Sequence, residues 1–401
     1  MLEFYEEATK AQDQRGAYEI ICLDVQKAFD KTPHEMDSER KPECLEETNI
    51  DMGGTCKLHT EENREEGLVI KLNKVGIHGA FCRADHQLTM SESTQNFSSV
   101  KEFLITGFPG LRDQESRKTL FGVFFTVYLF ILVGNLLLVF IFLSDRTLHT
   151  PMYILVCGLA VLDIAITTNT VPSMLVLFTF EYIVVPFAAC FTQMTLWSSL
   201  FSSECFLLAL MAYDRYIAIC NPLHYPNLMY NSLIIKLIAF CWLLGFLCAL
   251  VGVAVLLRLP FCGPNKIIHC FCNFGSLLFL ACGDIQIINY VALSIGLSVM
   301  FIPLAFILFT YVQIIFSVVK IASAEGRMKA FYTCGTHMLV ISVFFMAAGS
   351  EFVSVRIPGT SVDTRIMILI VQNVFPALTN PIIYCLRTKE IRKSFIKNFK
   401  K

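Results

Sequence analysis

Charged residues are scarce in this 401-residue sequence. They make up 16% of the chain, whereas hydrophobic residues make up 55% and the mean hydropathy is +0.59. A soluble domain is about one-quarter charged, so the composition excludes a soluble fold and predicts several membrane spans. The formal net charge of -1 hides an asymmetry, because acidic residues crowd the first ninety positions and basic residues crowd the carboxyl end.

Other absences narrow the function. The 16 cysteines show no Cys-x-x-Cys spacing, which disfavours a zinc framework. No nucleophile–base set is present, so we expect no enzyme activity. Neither inverted repeats nor a charged pore stripe supports a transporter or a channel, and no nucleic-acid partner is expected.

A signal peptide is missing from the first 89 residues, which are polar and contain no span. Segments 20–34 and 71–79 resemble blocks of retrotransposon reverse transcriptases, and Asp24 would be a metal ligand there. The Asp-Asp box that completes the two-metal site is absent, so no phosphoryl transfer is expected. We interpret residues 1–89 as a transposon remnant or a wrongly joined exon. An ordinary disordered tail predicts the same inactivity, and Met90 is taken as the start of the functional domain, 90–401.

Seven apolar runs follow Met90, near residues 119–143, 152–178, 189–218, 233–256, 287–318, 329–350 and 364–386. They predict an all-α membrane protein, a seven-transmembrane helix bundle, with a short amphipathic helix over 388–401 on the inner leaflet. Lys and Arg concentrate in the links after the first, third and fifth runs and in the tail. The positive-inside bias therefore predicts a cytoplasmic carboxyl terminus, and seven crossings place the amino terminus outside. The localisation we expect for this multi-pass protein is the plasma membrane.

The third run carries the most specific motif. A helix from Cys190 to Arg215 covers about 37 Å, so these residues lie at opposite membrane faces. The string from Met211 through Asp214, Arg215 and Tyr216 to Cys220, followed by Asn-Pro-Leu-His-Tyr, resembles the third-helix signature of odorant receptors, a branch of the rhodopsin-like G-protein-coupled receptors. Motifs of the same family are also resembled by four further segments, 100–111, 148–153, 329–337 and 380–384. Tyr332 departs from these motifs, because relatives usually carry Ser there.

The resemblance implies a receptor that binds small odorants and activates a stimulatory, olfactory-type G protein to raise cAMP. Coupling to the G protein is expected at Asp214, Arg215, Tyr216, Lys329 and Tyr384, with an outward swing of the sixth helix. A charged stop for a hydrophobic helix is the plainer alternative for Asp214 and Arg215. The resemblance also places an N-glycan on Asn96, in an Asn-Phe-Ser sequon ahead of the first span.

The family resemblance also indicates how the cysteines of the long loop after the fourth run are paired. It implies disulfides Cys190–Cys272 and Cys262–Cys282, which leaves Cys270 over. A metal site in the segment from His269 to Cys272 is a weaker alternative, because the ligand spacing is unusual.

Two carboxylates lie near mid-membrane, Asp163 in the second run and Glu204 in the third. Two such groups cannot both stay ionised and unpaired, so they must share a proton or a cation. The resemblance implies a sodium ion at Asp163, with Glu204 added at the same site. Packing with a shared proton is the alternative, and no other cofactor is expected.

The ligand pocket is expected in the outer half, between the third, fifth and sixth helices, as an apolar cavity with a few hydroxyls. Residues one turn apart on the inward faces are Trp197, Ser198, Phe201, Ser202, Cys205, Ile295, Val299, Phe345, Ala348, Gly349 and Phe352. Arg356 lies about three turns above Phe345, at the outer end of the sixth helix. It either anchors that helix end at the membrane interface or caps the pocket against an acidic odorant. Segments 107–111 and 357–360 resemble the branch tuned to water-soluble odorants. The competing interpretation is a non-functional or mispredicted chimeric product.

Overall fold

Seven long helices dominate the computed structural model, which describes residues 100–111, 113–261, 265–282, 285–320, 323–354 and 357–399. The helices are α1 (Gln114–Ser144), α2 (Pro151–Thr179), α3 (Phe187–Cys220), α4 (Asn231–Leu256), α5 (Gln286–Val319), α6 (Ala324–Ser354) and α7 (Val362–Arg387). Within these ranges, seven helices are long and apolar enough to cross a membrane. This confirms the predicted seven-helix fold, and the helices extend up to five residues beyond the apolar runs.

Polar caps account for part of that extension. Asp113 accepts a hydrogen bond from the Ser116 N–H at 2.8 Å before α1, and Ser361 accepts one from the Thr364 N–H at 3.1 Å before α7. Both caps satisfy amide groups that the first helical turn leaves without a partner. An eighth helix, α8 (Lys389–Phe399), follows α7 and confirms the predicted amphipathic carboxyl-terminal helix. It places Ile391 in the core and leaves its basic residues exposed.

Helix α3 occupies the centre of the bundle and packs against α2, α4, α5 and α6. Its contact with α4 is close at Gly245, where an added Cβ would lie 2.6 Å from the Ser199 carbonyl oxygen and 2.3 Å from Ser203 Oγ. Only glycine permits this approach, as is common where membrane helices cross. Helices α4 and α5 are peripheral, since 17% of each apolar stretch is buried against 61% in α7.

The core is divided into two hydrophobic clusters, one near each end of the bundle. One surrounds Leu208, Met211 and Tyr384, and the other surrounds Cys190, Phe271 and Ile366. We call the end that contains Cys190 the disulfide end and the opposite end the Arg215 end.

A small sheet covers the disulfide end, which the all-α prediction did not include. It consists of β1 (Glu102–Ile105), β2 (Ile183–Pro186) and β3 (Lys266–Ile267), in the order β2-β1-β3. The β1 strand pairs antiparallel with β2 and parallel with β3, so the segment before α1 is the central strand. Phe103 and Ile105 are fully buried beneath it. Gly107 follows with a φ of +64°, a conformation that glycine adopts without a steric penalty.

Candidate functional site

The Arg215 end contains a buried ion pair between adjacent residues of α3. The Arg215 guanidinium donates from Nε and Nη2 to Asp214 Oδ2, the Nε–Oδ2 distance being 2.9 Å. Both side chains are buried, at 7% and 1% exposure. Asp214 thus supplies the charged and hydrogen-bonded partner that a buried guanidinium needs.

Tyr225, in the short helix Tyr225–Leu228 that follows α3, contacts the acidic member of this ion pair. Its hydroxyl donates to Asp214 Oδ1 at 2.9 Å. Burial and the Asp214 charge raise the pKa of Tyr225, so the phenol stays a donor. Sequence analysis did not select Tyr225, although it stands at the end of the motif that contains Arg215.

The other predicted coupling residues lie on three helices. Tyr216 is half-buried on α3, and Tyr384 of α7 is fully buried with its ring edge against His337 of α6, 5.9 Å between centroids. The Arg387 guanidinium lies 4.8 Å from the centre of the Tyr332 ring, so the residue that departs from the family pattern forms a cation–π contact between α7 and α6. The side chain of Lys329 lies outside the described residues.

Asp163 and Glu204 share one cavity in the middle of the bundle. Asn380 Nδ2 donates to both Asp163 carboxylate oxygens, at 3.0 and 3.3 Å. The cavity has a volume of about 10 Å³, and Gln372 and Asn373 also line it. This is near the minimum for one water molecule.

This cavity offers oxygen ligands for a small cation. Among the described residues, Gln372 Oε1 and Asn380 Oδ1 are buried without a hydrogen-bond partner. The two carboxylates and the Gln372 amide oxygen that line the cavity suit a hard cation, which prefers oxygen ligands, whereas Asn380 contacts the site through its hydrogen bonds to Asp163. The residues therefore fit the sodium ion that the sequence predicted, although the described residues contain no group of three or more His, Cys, Asp or Glu side chains placed to hold a metal ion.

The predicted ligand-binding face brings α3, α5 and α6 together. Cys205, Val299 and Phe345 are buried in one hydrophobic cluster, against which Phe201 and Ile295 pack. Ala348 is buried, and the Cβ position of Gly349 lies 4.0 Å from Met300 of α5. Phe201 stacks on Phe344 with ring centroids 5.5 Å apart, which joins α3 to α6. Arg356 and the Phe352 side chain lie outside the described residues.

Two polar groups of this face, on Ser202 and Trp197, are already engaged within the protein. Ser202 Oγ donates to the Ser198 carbonyl at 2.7 Å. Trp197 Nε1 donates to Asn373 Oδ1 of α7 at 2.7 Å, and the Trp197 ring stacks on Phe201. Asn373 was not predicted, although it is a polar residue inside an apolar run. Ligand contacts at these residues stay predictions.

The loop after α4 meets this face at Trp197, whose ring centroid lies 6.0 Å from that of Phe271. The Cys190–Cys272 disulfide ties it to α3, which confirms the predicted bond, and Gln193 Oε1 accepts from the Cys272 N–H at 3.0 Å. Cys282 is disulfide-bonded, and Cys262 lies outside the described residues, as does Asn96. Cys270 is a buried free thiol.

His269 is enclosed in the same loop. Burial lowers its pKa to about 4. Its ring meets the Phe271 ring edge-on at 4.9 Å, and its carbonyl accepts from the Gly107 N–H at 3.2 Å. The neutral imidazole therefore packs within the loop, and the backbone hydrogen bond from Gly107 joins the loop to the segment before α1.

These features define a rhodopsin-like G-protein-coupled receptor. They are seven helices, a disulfide from the third helix to the long loop after the fourth, a buried Asp-Arg pair at the other end of the third helix, and an Asn-Pro in the seventh helix. The fold agrees with the crystal structure of squid rhodopsin, with a TM-score of 0.60 and 18% sequence identity over 72% of this chain and 81% of that one.

Sequence comparison gives the family. The family model for olfactory receptors matches residues 124–401. Human olfactory receptor 6N1 is 40% identical over 308 residues, which cover 77% of this chain and 98% of the relative. Human olfactory receptor 11H7 is 38% identical over 300 residues, 75% of this chain and 95% of the relative. The chain belongs to the olfactory receptor family and is a multi-pass membrane protein.

Proposed function

We propose that this protein is an odorant receptor that converts the binding of a small molecule at the disulfide end into activation of a stimulatory, olfactory-type G protein at the Arg215 end, raising cAMP. The observation that carries the proposal is the placement of residues along α3. One continuous helix presents Trp197 and Phe201 in one half and the Asp214–Arg215 pair in the other.

The ligand half supports recognition of a largely apolar molecule. Phe201, Val299 and Phe345 supply an apolar surface on three helices. Because Phe201 stacks on Phe344, a ligand that displaces Phe201 also changes the packing of α6. The preference for water-soluble odorants rests on the family resemblance of segments 107–111 and 357–360. The preference for acidic odorants rests on Arg356, whose guanidinium can bind a carboxylate through two hydrogen bonds.

The coupling half supports a switch. In the resting arrangement, Asp214 holds the Arg215 guanidinium inside the bundle with help from Tyr225. Release of Arg215 would expose a cation and a crevice beside α6 to the G protein. In this proposal the Arg215 end is cytoplasmic and the disulfide end is extracellular, which agrees with the Lys and Arg bias of the links.

We further propose that the cavity at Asp163 and Glu204 holds sodium. The ion would neutralise two carboxylates that are costly to bury, and the unpaired amide oxygen of Gln372, which also lines the cavity, would supply a further ligand. Asn380 holds Asp163 in place by its two hydrogen bonds.

A cAMP reporter assay tests the receptor function. The form that starts at Met90 is expressed with an olfactory-type G protein and exposed to a panel of small acids, alcohols and ketones. We expect a concentration-dependent cAMP rise for some members of the panel, and none in the Arg215→Ala variant at equal surface expression. A surface-expressed receptor that answers no ligand, or that signals only through a G protein lowering cAMP, would contradict the proposal and favour the non-functional alternative.

A further inference from the structure

A second cavity lies at the disulfide end, away from the face formed by α3, α5 and α6. It has a volume of about 450 Å³, within the range of about 300–1,000 Å³ found for small-molecule sites. It lies between the segment before α1, the first turn of α1, the end of α2 and β3. Its lining residues are Thr106, Gly107, Phe108, Pro109, Leu111, Arg117, Leu177, Phe178, Glu181, Lys266 and Ile268.

One wall of this cavity is apolar and well packed. Phe108 stacks on Phe178 with ring centroids 5.8 Å apart and an interplanar angle of 11°. Phe124 stacks on Phe178 in turn, at 5.9 Å. Phe178 and Leu177 are buried, at 4% and 6% exposure. Because this wall is fixed by ring stacking, it offers an apolar surface that exists before a ligand arrives.

The rim carries two cations from different parts of the chain. Arg117, on α1, is half-buried and donates from Nη2 to the Leu177 carbonyl at 3.2 Å, which fixes the guanidinium beside the apolar wall. Lys266, on β3, is exposed and forms no ion pair with any described residue. Most guanidinium donors of Arg117 are also without a described acceptor, so both groups are available to an anion.

Glu181 is the acidic member of the lining and forms no ion pair with either cation. Two cations and one carboxylate leave the cavity with an excess of positive charge. An anionic group would be attracted to Arg117 and Lys266 and repelled by Glu181. Exposed charges are screened by salt, so this attraction must weaken at high ionic strength.

We propose that this cavity is an accessory binding site for small carboxylates that carry an apolar chain, such as medium-chain fatty acids. The carboxylate lies between Arg117 and Lys266, and the chain lies on Phe108, Leu177 and Phe178. The site is separate from the proposed odorant pocket, so its occupancy is independent of whether the receptor signals through cAMP.

Direct binding to the purified receptor in lipid nanodiscs tests the proposal. The probes are octanoate and 1-octanol, which have the same chain length and differ in charge, and binding is followed by saturation-transfer NMR. We expect octanoate to bind at least threefold more tightly than 1-octanol at low salt, and the difference to shrink in 0.5 M sodium chloride. Equal binding of the two probes, or no octanoate binding at millimolar concentration, would overturn the site.

Single substitutions then locate the carboxylate. Arg117→Gln and Lys266→Gln should each weaken octanoate binding about threefold to tenfold, and Glu181→Gln should strengthen it. Lys118→Gln is the matched control, because Lys118 is adjacent to Arg117 but pairs with Glu115 at 3.1 Å and does not line the cavity. If Arg117→Gln fails to fold, Lys266→Glu supplies the test, since its exposed side chain has no structural partner among the described residues. Octanoate binding that is unchanged in Lys266→Glu and Lys266→Gln, or equally weakened in Lys118→Gln, would refute the proposal.

Discussion

Trp197 of α3 and Asn373 of α7 are joined by a hydrogen bond of 2.7 Å from the indole Nε1 to the amide Oδ1. Asn373 in turn donates from Nδ2 to the Leu369 carbonyl at 2.8 Å, and it lines the cavity that contains Asp163 and Glu204. One polar contact therefore connects the ligand-binding face with the proposed sodium site. The contribution of this hydrogen bond to stability can be measured by substituting Trp197. The chain contains one other tryptophan, Trp242, which is 38% exposed on α4 and serves as a control.

Replacing Trp197 with Phe should destabilise the receptor by about 1–3 kcal/mol, because Asn373 Oδ1 is left buried without its donor. Phenylalanine keeps an aromatic ring beside Phe201, so the loss reports mainly on the hydrogen bond. Thermal unfolding of the purified protein measures the effect. Trp242→Phe is the control and should leave the unfolding temperature almost unchanged. Equal shifts in the two variants would contradict this role of Trp197.

Asp214→Asn should raise basal cAMP, because the neutral amide binds the Arg215 guanidinium less strongly than the carboxylate does. Tyr225→Phe should have the same sign and a smaller effect, since it removes only the hydrogen bond to Asp214 Oδ1. The cAMP reporter without odorant measures both. Tyr213→Phe serves as the control, because Tyr213 is 38% exposed and lies one residue before Asp214. Basal activity that stays at the wild-type level in Asp214→Asn would rule out restraint of Arg215 by Asp214.

The sequence predicts the bundle well because lipid imposes a simple rule on it. Each span must be a long apolar helix, so the seven runs are visible without knowledge of their contacts. The family resemblance gave the Cys190–Cys272 bond. The sheet at the disulfide end could not be predicted in this way. Its strands have two to four residues, and β1 pairs with segments about 80 and 160 residues further along the chain.

The roles of residues that act through one hydrogen bond could also not be predicted from the sequence. Tyr225 and Asn373 each gain their role from a partner on another element, Asp214 and Trp197. A polar residue in an apolar run signals that a partner exists, because an isolated polar group in lipid is unfavourable. It does not identify which of the six other helices supplies that partner.

Glu204→Gln should weaken the effect of sodium on basal signalling. Glu204 shares a cavity with Asp163, and the substitution removes one of the two charges that would balance the ion. Basal nucleotide exchange on the G protein is measured in membranes, with sodium replaced stepwise by a bulky organic cation. Glu115→Gln is the control at an exposed position of α1. A sodium response equal to that of the wild type would exclude Glu204 as a ligand.

Deleting residues 1–89 should preserve or improve surface expression. The segment contains no span and many charges, so the first span would have to carry it across the membrane. A longer deletion, of residues 1–106, should abolish surface expression because it removes β1 and the buried Phe103 and Ile105. Surface staining of intact cells compares the two forms. Loss of staining in the shorter deletion would show that residues 1–89 are needed.

Acidification should loosen the loop after α4 through His269. Burial lowers the pKa of this imidazole to about 4, whereas an unfolded chain has a histidine pKa of about 6.5. Between these values the unfolded chain binds more protons than the folded one, so stability falls as the pH falls from about 6.5 toward 4. For one histidine, the loss between pH 7 and pH 5 is about 2 kcal/mol.

The variant His269→Gln removes this contribution. We expect the difference between the unfolding temperatures at pH 7 and pH 5 to be smaller in His269→Gln than in the wild type, whatever the stability of the variant at pH 7. His224→Gln, at an exposed position of the link after α3, should keep the full wild-type difference. The protonated imidazole cannot accept the Phe271 N–H at Nδ1, a contact of 3.5 Å in the neutral form, so acid should also speed hydrogen exchange at the Phe271 amide. An equal pH response of His269→Gln and the wild type in both measurements would show that another group controls the acid sensitivity of the loop.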